Sequence, residues 1–328
     1  MTSPQDPHSV SPARGEESPA IEAQNLSKTF TSGSLLSRRR VHALRDVSLA
    51  VRPGEIVSLV GESGSGKSTL ARCLARLEQP DGGRILLHGE DVLRTEPRRA
   101  SRRYRSTVQM VFQDPFGSLN PTHRVEHVLS RMLQLHQPDV PSQGAALRDL
   151  LHSVGLDPEV LSAFPHELSG GQRQRVAIAR VLAVEPKVIL ADEPTSMLDV
   201  SVRIGILNLL AQLRDERGIA IIYVTHDLSS ARYLSDRTIV MNQGRMVEGG
   251  HTEDLLARPA HPYTQLLLSA VPDPSRRTPF DIEERRLLRE DVRRWTEGEE
   301  LTVSSVATDE LEHWILHPTD RALPAPTI

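Results

Sequence analysis

The chain has 328 residues, a net charge of −4 and one cysteine, Cys73. That length supports a full hydrophobic core, in one large domain or two smaller ones. The single cysteine excludes an intrachain disulfide and fits a reducing compartment, and the slightly acidic balance gives no global signature for nucleic acid. No apolar run reaches the roughly 18 residues that a membrane span requires.

The first stretch, "MTSPQDPHSVSPARGEESPA", is rich in Pro, Ser and Glu and has no apolar centre of a signal peptide. It reads as a disordered lead over residues 1–20. From Ile21 the pattern becomes strand-like, in "IEAQNLSKTF" and then "HALRDVSLAVRPGEIVSLVG", with the polar loop "TSGSLLSRRR" between them. Alternating residues that give way to a continuous apolar run predict an antiparallel β-subdomain feeding a buried strand.

That strand runs into "GESGSGKS", Gly61 to Ser68, which fits G-x-x-x-x-G-K-[ST], and "STLARCLARL" opens a helix directly after it. Strand, glycine-rich turn and helix form the context of a phosphate cradle. Glycines let the backbone bend around an anion and turn several N–H groups inward. The helix N-terminus adds partial positive charge. Lys67 is placed to reach β- and γ-phosphates, and Ser68 offers a hydroxyl to Mg²⁺.

Beyond it, "DGGRILLHGEDV" predicts a turn and a short strand. The basic stretch "LRTEPRRASRRYRS" reads as a solvated face, with an anion or lipid-headgroup contact as the alternative. Between about Asp114 and Arg180 the pattern turns helical, interrupted by prolines at 115, 121, 138, 141, 158 and 165. This is a helical subdomain, placed at about 114–175. Within it, "LSGGQ", Leu168 to Gln172, precedes the helical run "RQRVAIARVLA". Ser169 with the Gly170 and Gly171 amides makes a second anion site at a helix start. Two phosphate-grasping helix ends invite a dimer that sandwiches a nucleotide.

"KVILADE" and "IAIIYVTHD" are continuous apolar runs ending in polar groups. They predict parallel strands covered on both faces, with function at their carboxyl ends. Asp192 can help hold Mg²⁺, and Glu193 can orient and polarise a water for attack on a γ-phosphate. "RTIVMNQGRMVEGG" predicts a hairpin turning at Asn242, Gln243 and Gly244. No internal repeat is visible, so the chain holds one copy of the module. After about Pro259 the character changes. "FDIEERRLLREDVRRW" interleaves acids and arginines, with Ile282, Leu288, Val292 and Trp295 as an apolar stripe, and predicts a small C-terminal helical appendage. The last stretch, to Ile328, carries no pattern.

"GESGSGKST", "LSGGQ" and "ADEPTSMLD" together resemble the nucleotide-binding subunit of an ATP-binding cassette (ABC) transporter, in the family's order and spacing over about residues 21–270. The resemblance implies an α/β fold: a P-loop NTPase core with an antiparallel β-subdomain, a helical subdomain and the small helical appendage. It implies Mg²⁺-dependent ATP hydrolysis. The nucleotide-binding set is then Phe30, Gly61, Glu62, Ser63, Gly64, Ser65, Gly66, Lys67, Ser68 and Thr69, completed by Ser169, Gly170, Gly171, Gln172 and Asp199. Phe30 resembles the aromatic that stacks on adenine, although a lone Phe fits a core equally. Gln113, in "VFQDPFGSLNP", resembles the glutamine that contacts Mg²⁺ and the attacking water, so the metal set is Ser68, Gln113 and Asp192. Asp199 closes "SMLD", a segment that crosses the family's dimer interface. His226 resembles the switch histidine that contacts the γ-phosphate. Glu193, His226, Gln113 and Lys67 form the catalytic set. The remaining histidines are assigned no role.

"FQDPFGSLNP" and "HPYTQLLLSAVPDP" are similar to the oligopeptide/dipeptide importer branch, which also includes oligosaccharide and nickel importers. The branch's frequent C-terminal iron–sulfur cysteines are missing, because Cys73 stands alone in the helix after the P-loop, where a small core residue fits. "SMLD" also replaces the commoner "SALD". The resemblance implies an ABC ATPase domain over 21–259 and a C-terminal extension over 260–328. It implies two integral membrane permease subunits, a second ABC ATPase subunit (the same chain or a related one) and, indirectly, an extracellular solute-binding protein. It implies no nucleic acid, and a place at the cytoplasmic face of the cell membrane. The rival reading is a soluble ABC ATPase acting in DNA repair or on the ribosome.

Overall fold

The computed structural model describes residues 18–32, 39–114, 117, 119–137, 139, 142–270, 282–296, 301–306 and 313–319. Most of the N-terminal lead, part of the segment after Gln113 and the final residues lie outside this set.

Strands β1 (Ile21–Ser32) and β2 (Arg39–Val51) pair antiparallel. With β4 (Gly82–Leu87) and β5 (Glu90–Asp91) they form a four-stranded sheet in the order β2-β1-β4-β5. This is the antiparallel subdomain. Between its halves run β3 (Ile56–Val60) and helix α1 (Lys67–Leu74), the strand–turn–helix expected around the glycine-rich loop.

Two short helices, α2 (Val92–Thr95) and α3 (Arg102–Thr107), precede β6 (Val108–Val111). The arginines of the basic stretch are exposed, as a solvated face requires, while part of the stretch folds as α3. Ser101 caps α3 by accepting from the Tyr104 N–H at 3.0 Å, and the Tyr104 ring is buried. The helical part follows as α4 (Val125–His136), α5 (Gln143–Ser153), two short 3₁₀ turns and α6 (Gly170–Leu182). Then come β7 (Val188–Asp192), α7 (Val200–Arg217), β8 (Ala220–Thr225) and α8 (Leu228–Leu234). A hairpin of β9 (Arg237–Asn242) and β10 (Arg245–His251) leads into α9 (Thr252–Ala257), α10 (Pro262–Ser269) and α11 (Ile282–Thr296). Two strands, β11 (Leu301–Ser305) and β12 (Trp314–Pro318), come last among the described residues.

The second sheet has eight strands in the order β11-β12-β10-β9-β3-β8-β7-β6. Its centre is parallel, β3 lying between β8 and β9 and β7 between β8 and β6. Every residue of β3, β7 and β8 is buried. Period-2 alternation divides each strand between two cores. Ile221 and Tyr223 of β8 face the cluster made with α4 to α7. Ala220, Ile222 and Val224 face the cluster shared with α1 and the antiparallel subdomain. This double covering explains why those segments are apolar without interruption.

The predicted hairpin turn is present. Gln243 and Gly244 both have positive φ, 47° and 82°, the backbone of a two-residue hairpin loop. The appendage differs from the helical expectation. Helix α11 forms, with Trp295 buried and Val292 packed on Val240, Val247, Leu255 and Tyr263. Beyond it β11 and β12 extend the eight-stranded sheet from the β10 edge, with Glu248 opposite Ile315 and Gly249 opposite Trp314. The chemistry needed for this pairing lies in β10, where Gly249 admits the Trp314 ring and Gly250 lies against His313, so the last stretch alone carries little sign of it. A Cβ on Gly249 would approach that ring to 2.5 Å.

Candidate functional site

The P-loop connects the end of β3 to α1. Two of its glycines are required by close backbone approach. A Cβ on Gly61 would lie 2.2 Å from the Met241 carbonyl oxygen, and one on Gly66 2.4 Å from that of Ala43. Gly66 also has φ 107°, in the left-handed region where other residues are strained. The loop is braced from the hairpin: the Gly244 N–H donates to the Ser65 carbonyl at 2.9 Å.

Lys67 begins α1 and is nearly buried. Its ammonium donates to the Gly61 carbonyl at 2.7 Å, the Glu62 carbonyl at 2.8 Å and Ser65 Oγ at 3.2 Å. Burial lowers its pKa, opposed by the charges of Glu193, Asp192 and Glu62. The loop's own oxygens thus hold the cation where an incoming phosphate can take their place. Next to it, Ser68 Oγ donates to Asp192 Oδ1 at 2.8 Å. Burial raises the Asp192 pKa, and the Ser68 bond opposes that shift.

Glu193 follows at the carboxyl end of β7 with φ 46°. Its N–H donates to the Val224 carbonyl of β8 at 3.0 Å, which ties the kinked backbone to the neighbouring strand. A non-glycine residue in this conformation is costly and is found where the surroundings over-determine it. Gln113 Nε2 donates to Glu193 Oε2 at 3.1 Å, and His226 Nδ1 lies 3.4 Å from the same oxygen. Three strand ends, those of β6, β7 and β8, therefore converge on one carboxylate. Beneath it, Tyr223 Oη donates to Ser230 Oγ at 3.1 Å, and Thr225 Oγ1 accepts from the Asp227 N–H at 3.0 Å, which fixes the turn carrying His226.

Other sequence-chosen residues lie apart from this group. Ser169 caps α6: its hydroxyl accepts from the Gln172 N–H at 3.2 Å, while Gln172 Oε1 accepts from the Ser169 N–H at 2.9 Å. The neighbours a Cβ would meet at Gly170 and Gly171 are Leu198 and Val202. "LSGGQ" therefore packs against the start of α7, which Asp199 precedes as N-cap. Phe30 sits on β1 opposite Val41, half-exposed, with Lys28 Nζ 5.2 Å from its ring centroid. It is outside both hydrophobic cores.

Among the described residues no group of three or more His, Cys, Asp or Glu gathers as a metal site. A hard divalent cation shared with phosphate oxygens needs fewer protein ligands, and the Ser68–Asp192 oxygen pair suits it, with Gln113 held on the adjacent Glu193. Cys73 is fully buried, with its thiol pushed up to about 12 by burial.

One contact has no counterpart in the sequence reading: the Glu62 N–H donates to Tyr263 Oη at 2.9 Å. "HPYT" marks Tyr263 only as part of a family-like segment and shows nothing of what its hydroxyl touches. His261 and His313, read as ordinary, are both buried, His261 against the Tyr263 N–H and His313 against Glu248.

A model of the ABC transporter family matches residues 44–196, and one of the oligopeptide/dipeptide transporter C-terminal region matches residues 247–298. The oligopeptide transport ATP-binding protein OppF of Streptococcus mutans is 43% identical over 256 residues, 77% of this chain and 82% of that protein. The chain belongs to the ABC transporter family. It is an ATP-binding cassette ATPase coupled to transport, of the oligopeptide/dipeptide importer branch. A putative peptide import ATP-binding protein of Brucella ovis is 42% identical to this ABC ATPase over 279 residues, 84% of this chain and 85% of that protein. Among solved structures, cbiO1 of Clostridium perfringens, part of the cbiONQ transporter complex, aligns with TM-score 0.63 at 30% identity, covering 74% of this chain and 92% of that one. The ATP-binding cassette MJ0796, a dimer with ADP and Pi, aligns with TM-score 0.60 at 30% identity, covering 69% and 96%.

Proposed function

We propose that this ABC ATPase energises uptake of peptides through a pair of integral membrane permease subunits, at the cytoplasmic face of the membrane. The relatives support this, being named as oligopeptide transport and peptide import ATP-binding proteins, so the DNA-repair or ribosomal alternative is set aside. The observation that carries the chemistry is the Glu193 carboxylate, met by Gln113 and His226 beside the Lys67 cradle.

ATP binds with its phosphates on the loop from Gly61 to Thr69 and its adenine on Phe30. Lys67 exchanges the loop carbonyls for β- and γ-phosphate oxygens. Glu193 accepts a proton from the attacking water, Gln113 orients that water, and His226 reports the γ-phosphate. Ser68, Asp192 and Gln113 would hold Mg²⁺, which neutralises charge on the phosphate oxygens when bound. Ser169, Gly170, Gly171 and Gln172 act on the nucleotide of a partner ATPase, a second copy or a related chain, with Asp199 at that interface. No helix of the described residues is long and apolar enough to cross a membrane, so the permease supplies the passage. In this reading 21–259 is the ATPase domain and 260–328 the extension. The solute-binding protein acts outside the cell.

The test is peptide uptake by cells whose only copy carries Glu193→Gln. Loss of uptake with the transporter still assembled is expected. Undiminished uptake overturns the reading.

A further inference from the structure

The N–H of Glu62 and the carbonyl of Gly61 are two ends of one peptide unit. The carbonyl oxygen accepts from Lys67 Nζ at 2.7 Å, and the N–H donates to Tyr263 Oη at 2.9 Å. A rotation of this peptide that breaks one contact displaces the other. Tyr263 therefore fixes, from 201 positions away, the orientation of a P-loop peptide, and with it the shape of the loop that is to receive phosphate. Its ring is buried, and burial pushes the phenol up to about 12, so it stays protonated throughout the physiological range.

Tyr263 is held in turn by a buried polar chain. Its N–H donates to His261 Nδ1 at 3.0 Å. The His261 N–H donates to Glu248 Oε2 at 3.1 Å, and the Ala260 N–H donates to Oε1 at 2.8 Å. Glu248 is fully buried in β10, and its remaining partner comes from the C-terminal extension: His313 Nε2 lies 2.7 Å from Oε1. Strand β12 is seated there by Trp314 on Gly249, and Trp295 of α11 stands edge-on to His261, ring centroids 5.1 Å apart. Buried polar groups in such a chain depend on one another, because removing one partner leaves the next unsatisfied at low dielectric.

We propose that Tyr263 is a positioning residue for the nucleotide site, and that the C-terminal extension sets ATP affinity through His313, Glu248, His261 and Tyr263. This rests on the reading of the Gly61–Ser68 loop as the phosphate cradle.

The experiment uses the purified full-length chain and a fluorescent ATP analogue. Tyr263→Phe keeps the ring and removes only the acceptor. It raises the Kd about three- to tenfold, the range of one lost hydrogen bond in a site. A merely structural role would lower the melting temperature and leave the Kd of the folded protein unchanged. His313→Ala raises the Kd similarly, and His313→Gln, whose amide can donate to Glu248, restores it. Tyr263→Phe combined with His313→Ala adds less than the sum of the two, because both act along one chain. Wild-type Kd in folded Tyr263→Phe overturns the proposal. A raised Kd in Tyr263→Phe with wild-type Kd in His313→Ala overturns the part assigned to the extension. Lys67→Ala is the separate control: wild-type binding in that variant overturns the cradle itself.

Discussion

Gln113 donates its side-chain N–H to the Glu193 carboxylate across 3.1 Å, although 80 positions separate them in the chain. Strands β6 and β7 are parallel neighbours, so their carboxyl ends, which carry these residues, lie side by side. An amide that touches this carboxylate can orient what lies between them.

Glu193→Gln keeps shape and hydrogen bonding and removes the proton acceptor. ATP binds, and turnover falls by at least ~10²-fold, the lower end for loss of a general base. The ATP-bound dimer then persists on sizing chromatography, alone or after a partner ATPase is added. Near-normal phosphate release would reject Glu193 as the catalytic carboxylate.

Lys67→Ala removes the cation that the Gly61, Glu62 and Ser65 oxygens now hold. Nucleotide binding and hydrolysis are lost. Equilibrium dialysis with radiolabelled ATP checks this, and retained binding counts against the cradle.

The lone thiol of Cys73 is inert in the folded protein, since burial shields it from solvent and pushes its pKa up to about 12. A maleimide labels it only after denaturation, and metal analysis of the purified protein finds no iron, because one cysteine cannot hold a cluster. Rapid labelling of the native protein would contradict the first statement, and stoichiometric iron and sulfide the second.

His261 gives a pH dependence with a defined sign. Burial depresses its pKa from 6.5 to about 3, so the folded state keeps it neutral while the unfolded chain protonates it below 6.5. Its contribution to stability is complete above pH 6.5 and is lost as pH falls toward about 3. His261→Asn keeps an acceptor for the Tyr263 N–H without that titration. In thermal melts the wild type should lose stability faster than this variant between pH 6 and 4. Parallel curves would exclude His261 as the titrating group.

Much of the site was legible because its chemistry is local. A glycine-rich turn between a buried strand and a helix N-terminus needs its residues adjacent, so "GESGSGKS" announced itself. "VILADE" and "IIYVTH" were readable for a related reason. A parallel strand covered on both faces must be apolar throughout, so the polar groups at its end stand out. Only the tertiary structure decided that Gln113 and His226 meet on one oxygen of Glu193, since that depends on the strand order β8-β7-β6 and not on spacing. It also decided that β11 and β12 complete the sheet and that Tyr263 touches the P-loop. Both strands are short, β11 is largely exposed, β12 buries a histidine among its few apolar residues, and their seat is made by glycines in β10. A hydrogen bond between a loop N–H and a phenol far along the chain leaves no periodic mark, because its partners are chosen by where the folded backbone brings them.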